Sequence, residues 1–164
     1  MKQRFRAGRM LWVISLAAIT LCSCDHLGRL DVYQKNIPVP GYQWHYSFHP
    51  SFEVLITDTA ARYNIAVTVR HTGAYAFSNL WLLVTTGYAG QKPRTQRVEL
   101  PLADRQGKWL GSGMDGIYEH RIPIQQNARF DKKGTYHFSF EQNMRIDPLA
   151  NVMSVGLRVE KISP

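Results

Sequence analysis

The histidines are the first residues to test for chemistry, and they occur at positions 26, 45, 49, 71, 120 and 137. His45 and His49 stand four apart, a ligand spacing when carried on a helix, but the aromatic residues around them and Pro50 argue against a helix. On a strand the two would share a face roughly 14 Å apart at about 3.4 Å per residue. One zinc ion, with ligands at about 2 Å, cannot span that. No HExxH motif occurs, so no metal and no other cofactor is expected. Nucleophilic catalysis has no better footing. Gly111-Ser112-Gly113 lacks the spacing and the strand-turn-helix setting that exposes a nucleophile. Gly107-Lys108-Trp109 is not a phosphate loop, because the upstream glycine is missing and Trp109 follows the lysine where a hydroxyl would meet magnesium. The plain reading of the four glycines in Gly107 to Gly116 is a long hairpin with positive φ at its turns. Asp104 and Asp115 bracket that hairpin, and spacing alone does not bring them together. No enzymatic activity is expected.

The one attachment chemistry is at the N-terminus. Lys2, Arg4, Arg6 and Arg9 form a basic leader with no acidic residue before Asp25. Met10 to Leu21 is then an apolar run broken only by Ser15 and Thr20. It falls short of the roughly 20 residues of a membrane span and suits the apolar region of a secretory signal. The run ends at Leu21-Cys22-Ser23-Cys24, which resembles the lipobox read by the lipoprotein signal peptidase. Leu21 supplies the aliphatic residue three before Cys24, and Ser23 the small residue just before it. Cys22 has the bulky Leu21 before it and leaves with the signal. Residues 1–23 are therefore expected to be removed, with Cys24 acylated, palmitate-type, as the first mature residue.

Removal of the signal changes the charge argument. The whole chain carries 20 Lys and Arg against 12 Asp and Glu, a net +8. Four of the basic residues and none of the acids precede Cys24, which leaves 16 against 12 and a mature charge of +4. Half of the basicity is thus a targeting device, and no Lys/Arg cluster of nucleic-acid type remains to suggest such a partner. With its sulfur occupied by lipid, Cys24 has no mature cysteine to pair with, so the core must hold the fold without disulfides. The 141 mature residues are enough for one domain to bury a real core.

Residues 24–29 read as a lipidated N-terminus and polar tether, and 30–164 as a single domain of strands. Leu30 to Ile37 suits an edge strand, stopped by Pro38 and Pro40-Gly41. Tyr42, Trp44, Tyr46 and Phe48 alternate with polar residues and predict a half-buried strand. Phe52 to Thr57 is a short apolar run, and Tyr63, Ile65, Val67 and Val69 share one face of the next strand. Leu80 to Val84, apolar on both faces, predicts a central strand with Trp81 in the core. Gln96 to Leu102, Ile117 to Ile124, Tyr136 to Phe140 and Val152 to Ile162 continue the pattern, with a turn at Asp131 to Gly134. One helical turn is expected near Met144 to Ala150. Seven or eight strands separated by turns predict an all-β, antiparallel β-sandwich.

Aromatic residues are the remaining chemical signal. Trp109, beside Lys108 and among glycines, is the better surface candidate; it serves either as an anchor for a protein partner or as a cap on the core. Arg145, near Met144, either joins that surface or pairs with Asp147.

The mature chain resembles the gliding-motility lipoprotein GldH family of Bacteroidota. The resemblance is carried by Tyr63 through Arg70-His71, Tyr75, Asn79-Leu80-Trp81, Leu102-Ala103-Asp104, Gly107-Lys108-Trp109-Leu110-Gly111-Ser112-Gly113, Gln142-Asn143-Met144-Arg145 and Val155-Gly156-Leu157-Arg158-Val159. It implies an accessory protein of the gliding and type IX secretion apparatus that is anchored in the envelope and acts through other envelope proteins, without enzymatic activity. The competing expectation is a glycan-binding outer-membrane lipoprotein with a Trp/Tyr platform, on fold analogy. Asp25 is not followed by an acidic run, so the periplasmic side of the outer membrane is the expected location. Cys24→Ser should move the protein from the membrane to the soluble fraction as a folded domain; retention through salt and carbonate washes would refute the lipid anchor.

Overall fold

The computed structural model describes residues 29–162. The signal segment, Cys24 and the tether through residue 28 lie outside the described residues. Eleven strands follow in order: β1 (Arg29–Pro38), β2 (Gln43–Trp44), β3 (Ser51–Ile56), β4 (Arg62–Thr72), β5 (Asn79–Tyr88), β6 (Arg94–Pro101), β7 (Ser112–Met114), β8 (Ile117–Ala128), β9 (Gly134–Gln142), β10 (Leu149–Ala150) and β11 (Val152–Ile162). Three are two or three residues long, so eight carry the architecture. One sheet has the order β1-β11-β4-β8-β7 and the other β3-β9-β5-β6, and every pairing is antiparallel. The short β2 and β10 pair separately.

Period-two alternation drives this arrangement, because successive side chains point to opposite faces of a strand. Phe52, Val54 and Ile56 of β3 turn inward, as do Tyr63, Ile65, Val67 and Val69 of β4 and Leu80, Leu82 and Val84 of β5. Tyr136, Phe138 and Phe140 of β9 meet Val155, Leu157 and Val159 of β11 in the same apolar layer. Edge-to-face rings tie the layer together at Tyr63 and Phe130, 5.1 Å apart.

Three local expectations are revised. The alternation from Tyr42 to Phe48 does not make a strand. Gly41 and Tyr42 both take left-handed backbone (φ 56° and 59°), which twists the chain into a short 3-10 turn over Pro40–Tyr42. Only Gln43 and Trp44 then pair, and Trp44 is buried with its Nε1–H donated to the Phe48 carbonyl at 2.9 Å. The second revision is Trp81, which lies on the outer face of β5 and is half-buried there rather than in the core. β5 is indeed interior to its sheet, but Trp81 and Leu83 lie on its outer face and are only half-buried there, with the Arg97 guanidinium over the Trp81 ring. Third, no helical turn forms over Met144 to Ala150. Buried Gln142 takes up the backbone groups there, accepting from the Met144 N–H at 2.9 Å and donating to the Ile146 carbonyl at 3.0 Å.

Strand pairing also sets the two ends of the molecule. Arg29 pairs with Ile162, Ile162 with Arg62, and Ile56 with Gly134, so the chain enters the sandwich at the end bearing the β3–β4, β5–β6 and β8–β9 loops. The opposite, tether-distal end carries residues 39–50, 73–78, 102–116 and 143–151.

Gly156 shows how tightly β1, β11 and β4 are layered. A Cβ there would run into the Asn36 side chain, the Thr68 hydroxyl and the Lys35 carbonyl. That space is used by the Thr68 hydroxyl donating to Asn36 Oδ1 at 2.5 Å. Gly156→Ala should lower stability by about 1–3 kcal/mol, the usual effect of overpacking, seen as a lower denaturant midpoint with an unchanged slope.

Candidate functional site at the tether-distal end

Trp109 is positioned by a stapled turn. The Asp104 carboxylate accepts the N–H groups of Gln106 and Lys108 at 3.0 and 2.8 Å, as turn-forming aspartates do. The Asp104 N–H donates to the Lys108 carbonyl and the Leu110 N–H to that of Leu102, which closes the hairpin on both sides. Trp109 is half-buried, with its ring 4.5 Å from His71 and 5.6 Å from Tyr118, so the indole covers one edge of the core. Lys108 projects into solvent beside it. Of the glycines in this segment, Gly107 and Gly116 do take positive φ. Gly111 and Gly113 serve a different need: a Cβ on Gly111 would strike the β8 backbone at Glu119, and one on Gly113 the Tyr118 ring.

Beneath Trp109 lies a pair that the sequence did not single out. His71 and His120 are 0% and 3% exposed, and their Nε2 atoms are 2.9 Å apart. His71 Nδ1 contacts the Thr72 carbonyl at 2.8 Å. A carbonyl only accepts, so Nδ1 carries the His71 proton, and its Nε2 accepts from the Nε2–H of His120. The two imidazoles are stacked, with Tyr75 and Tyr118 also against His71. Both are held neutral. Burial lowers the pKa of His71, while burial and then the neighbouring imidazole push that of His120 down to about 4. The Tyr75 hydroxyl donates to the Asn79 carbonyl at 2.9 Å, and burial raises its pKa. The hydrogen bond between the two Nε2 atoms and that from His71 Nδ1 to the Thr72 carbonyl tie the pair to each other and to the end of β4.

A second corner sits on the outer face of β5 and β6. The Arg97 guanidinium lies 3.9 Å above the Trp81 ring and donates through Nε to Asn143 Oδ1 at 2.7 Å. Asn79 donates to Glu99 at 2.6 Å, and the Asn143 N–H donates to the Trp81 carbonyl at 2.8 Å. The chain from Asn143 to Asp147 is thus fixed, with the Tyr46 hydroxyl on the Met144 carbonyl and the Asp147 carboxylate accepting the Tyr46 N–H at 2.9 Å. Arg145 stands exposed on that loop, while Asp147 faces Tyr46 and His45. His45 and His49 point to separate carboxylates, Asp147 and Glu141.

What sequence reasoning missed most is the exposed apolar content of this end. Tyr42, Tyr46, Leu110, Met114 and Ile146 are between 39% and 78% exposed, and all five are in the tether-distal loops. Only Val32 and Leu55 among the described large apolar residues are comparably exposed elsewhere. The signal for His71 was available, since it extends the inward row of β4 by one more step; that for His120 was not, because it depends on the pairing of Val69 with His120 across strands.

Comparison with known proteins bears on the same residues. The family model described as GldH lipoprotein matches residues 31–159. A "Gliding motility lipoprotein GldH homolog" of Christiangramia forsetii is 26% identical over 95% of this chain and 98% of its own length. The "Gliding motility lipoprotein GldH" of Flavobacterium johnsoniae is 28% identical over 91% and 94% respectively. No helix of the described residues is long and apolar enough to cross a membrane.

The histidine pair makes stability depend on pH. Folded pKa values below the ordinary value near 6.5 mean that the unfolded chain binds more protons as pH falls. Stability should be full above about pH 6.5 and decline towards about pH 4, where His120 titrates in the folded state. Denaturant midpoints measured across that range check this, and His120→Gln should flatten the decline.

Proposed function

The chain belongs to the GldH lipoprotein family, and we propose that it is a lipid-anchored, non-enzymatic adaptor of the gliding and type IX secretion machinery. Its tether-distal end docks other envelope proteins. The observation that carries the reading is the clustering there of Tyr42, Tyr46, Leu110, Met114 and Ile146. Large apolar side chains gathered on one end of a monomer mark an interaction surface, and aromatic and arginine residues dominate such interfaces. Trp109, Lys108 and Arg145 belong to the same end, as do Leu102 to Asp104, Gly107 to Gly113 and Asn143 to Arg145 among the segments through which the chain resembles its family. Trp109 contributes through an exposed edge while its inner face holds the His71 layer. The anchor is lipid on Cys24, in the outer membrane and facing the periplasm.

The test is recovery of envelope proteins from membranes with tagged protein. The triple change Leu110→Asp, Met114→Asp and Ile146→Asp should reduce recovery at least about tenfold, since each buries a charge in the interface. All three side chains are exposed, so the denaturation midpoint and the membrane fraction should not move. Undiminished recovery by the triple variant would overturn the docking surface. Saturable glycan binding lost in Trp109→Ala, with no envelope protein recovered, would overturn the adaptor role.

A further inference from the structure

The end of the sandwich that receives the tether is cationic. Its loops and adjoining strand termini carry Arg62, Lys92, Arg94, Arg129, Lys132 and Lys133, all exposed. Asp58 and Asp131 share those loops, and Asp31 and Glu160 lie in the adjoining strand ends. Asp58 is paired with Lys161 at 2.7 Å and Glu160 with Arg158 at 2.8 Å, so the six positive charges outnumber the acids left to meet them. Among the described residues none of the six has an ion-pair partner. The tether-distal loops hold Arg105, Lys108 and Arg145 against Asp104, Asp115 and Asp147, and are balanced. The mature charge of +4 is thus concentrated at one pole.

Several contacts gather these charges. Thr86 to Thr95 and Gln125 to Asp131 face each other across a cleft of about 310 Å³ between the sheets, so Lys92, Arg94 and Arg129 share one mouth. The Tyr88 hydroxyl donates to the Lys133 carbonyl at 2.9 Å, and Lys132 lies 5.8 Å above the Tyr88 ring. The loops therefore present a fixed basic rim around an aromatic wall.

We infer that this pole lies against the anionic headgroups of the bilayer that holds the anchor. The inference rests on acylation of Cys24. Only four residues, and so five Cα-to-Cα steps, separate Cys24 from Arg29, the first residue of β1. Fully extended they reach at most about 18 Å, so this end cannot leave the vicinity of the membrane. Basic side chains near an anionic leaflet are each attracted to it, and a lipid chain joined to a basic patch is a recognised two-part anchor. The patch sets orientation as well as affinity: it turns the apolar, charge-balanced end outward.

The lipidated protein in vesicles of phosphatidylethanolamine with phosphatidylglycerol tests this. An amine-acylating reagent, read by peptide mass spectrometry, should spare Lys92, Lys132 and Lys133 relative to Lys108 at the far end. The protection should vanish when phosphatidylglycerol is omitted or salt is raised. Separately, the Cys24→Ser chain should co-sediment with the anionic vesicles and not with neutral ones. Lys92→Gln, Arg94→Gln, Arg129→Gln, Lys132→Gln and Lys133→Gln together should weaken that binding at least about tenfold. Equal labelling of all four lysines in protein whose intact mass shows the acyl groups would overturn the inference. So would binding of the Cys24→Ser chain to polyglutamate without binding to vesicles, which would assign the patch to an acidic protein. Absence of acyl mass would instead refute the anchor and leave the Cys24→Ser measurement to decide the patch.

Discussion

Strand β4 is hydrogen-bonded along its length on both sides, to β11 and to β8, and the positions of the other parts follow from that double register. Its inward row runs Tyr63, Ile65, Val67, Val69 and His71, meeting the apolar row of the facing sheet. A slip of one residue would send the whole row to solvent, so no neighbouring register competes. The same pairing sets Thr68 opposite Gly156, where Asn36 of β1 can reach its hydroxyl. It sets Val69 opposite His120 and His71 opposite Tyr118, which stacks imidazole and phenol at one end. At the other end it sets Tyr63 opposite Ala128, which gathers the β8–β9 and β3–β4 loops beside the first residue of β1.

The strands were legible because alternation is a local property. Phe52, Val54 and Ile56, or Tyr136, Phe138 and Phe140, declare an inward face with no knowledge of the rest of the chain. Trp81 and Tyr42 to Phe48 mark where that rule stops. Trp81 sits in an apolar run, but whether a second layer covers its face depends on the number of sheets, and here an arginine from the neighbouring strand does the covering. Tyr42 to Phe48 alternates well, yet two consecutive left-handed residues break the strand before the pattern can act. Of the site, the glycine-tryptophan hairpin could be read from its composition. The pairing of His71 with His120, the close approach of Gly111 to β8 and the gathering of exposed apolar side chains are cross-strand facts, and no spacing along the chain announces them.

The two poles differ in the kind of surface they offer. One is apolar with balanced charge and built on loops pinned by side-chain hydrogen bonds: Asp104 within its turn, Gln142 under the Met144 loop, the Tyr46 hydroxyl on the Met144 carbonyl and the Asp147 carboxylate on the Tyr46 N–H. Such loops change little in shape when a partner arrives, which limits the ordering entropy lost on binding. The other is basic, its lysine and arginine heads exposed on loops gathered around Tyr88, and it offers charge rather than an apolar face. The strand core between them keeps the two apart.

Strand β1 gives the protein a mechanical character. It is the outermost strand of its sheet and is joined to β11 from Arg29 to Pro38. In the proposed arrangement, with the anchor ahead of Arg29 and a partner held at the far pole, tension between the two runs parallel to the strands, and the rungs of this ladder share it in shear instead of parting one at a time as in a peeled hairpin. An antiparallel sheet stressed in that direction behaves as a stiff link.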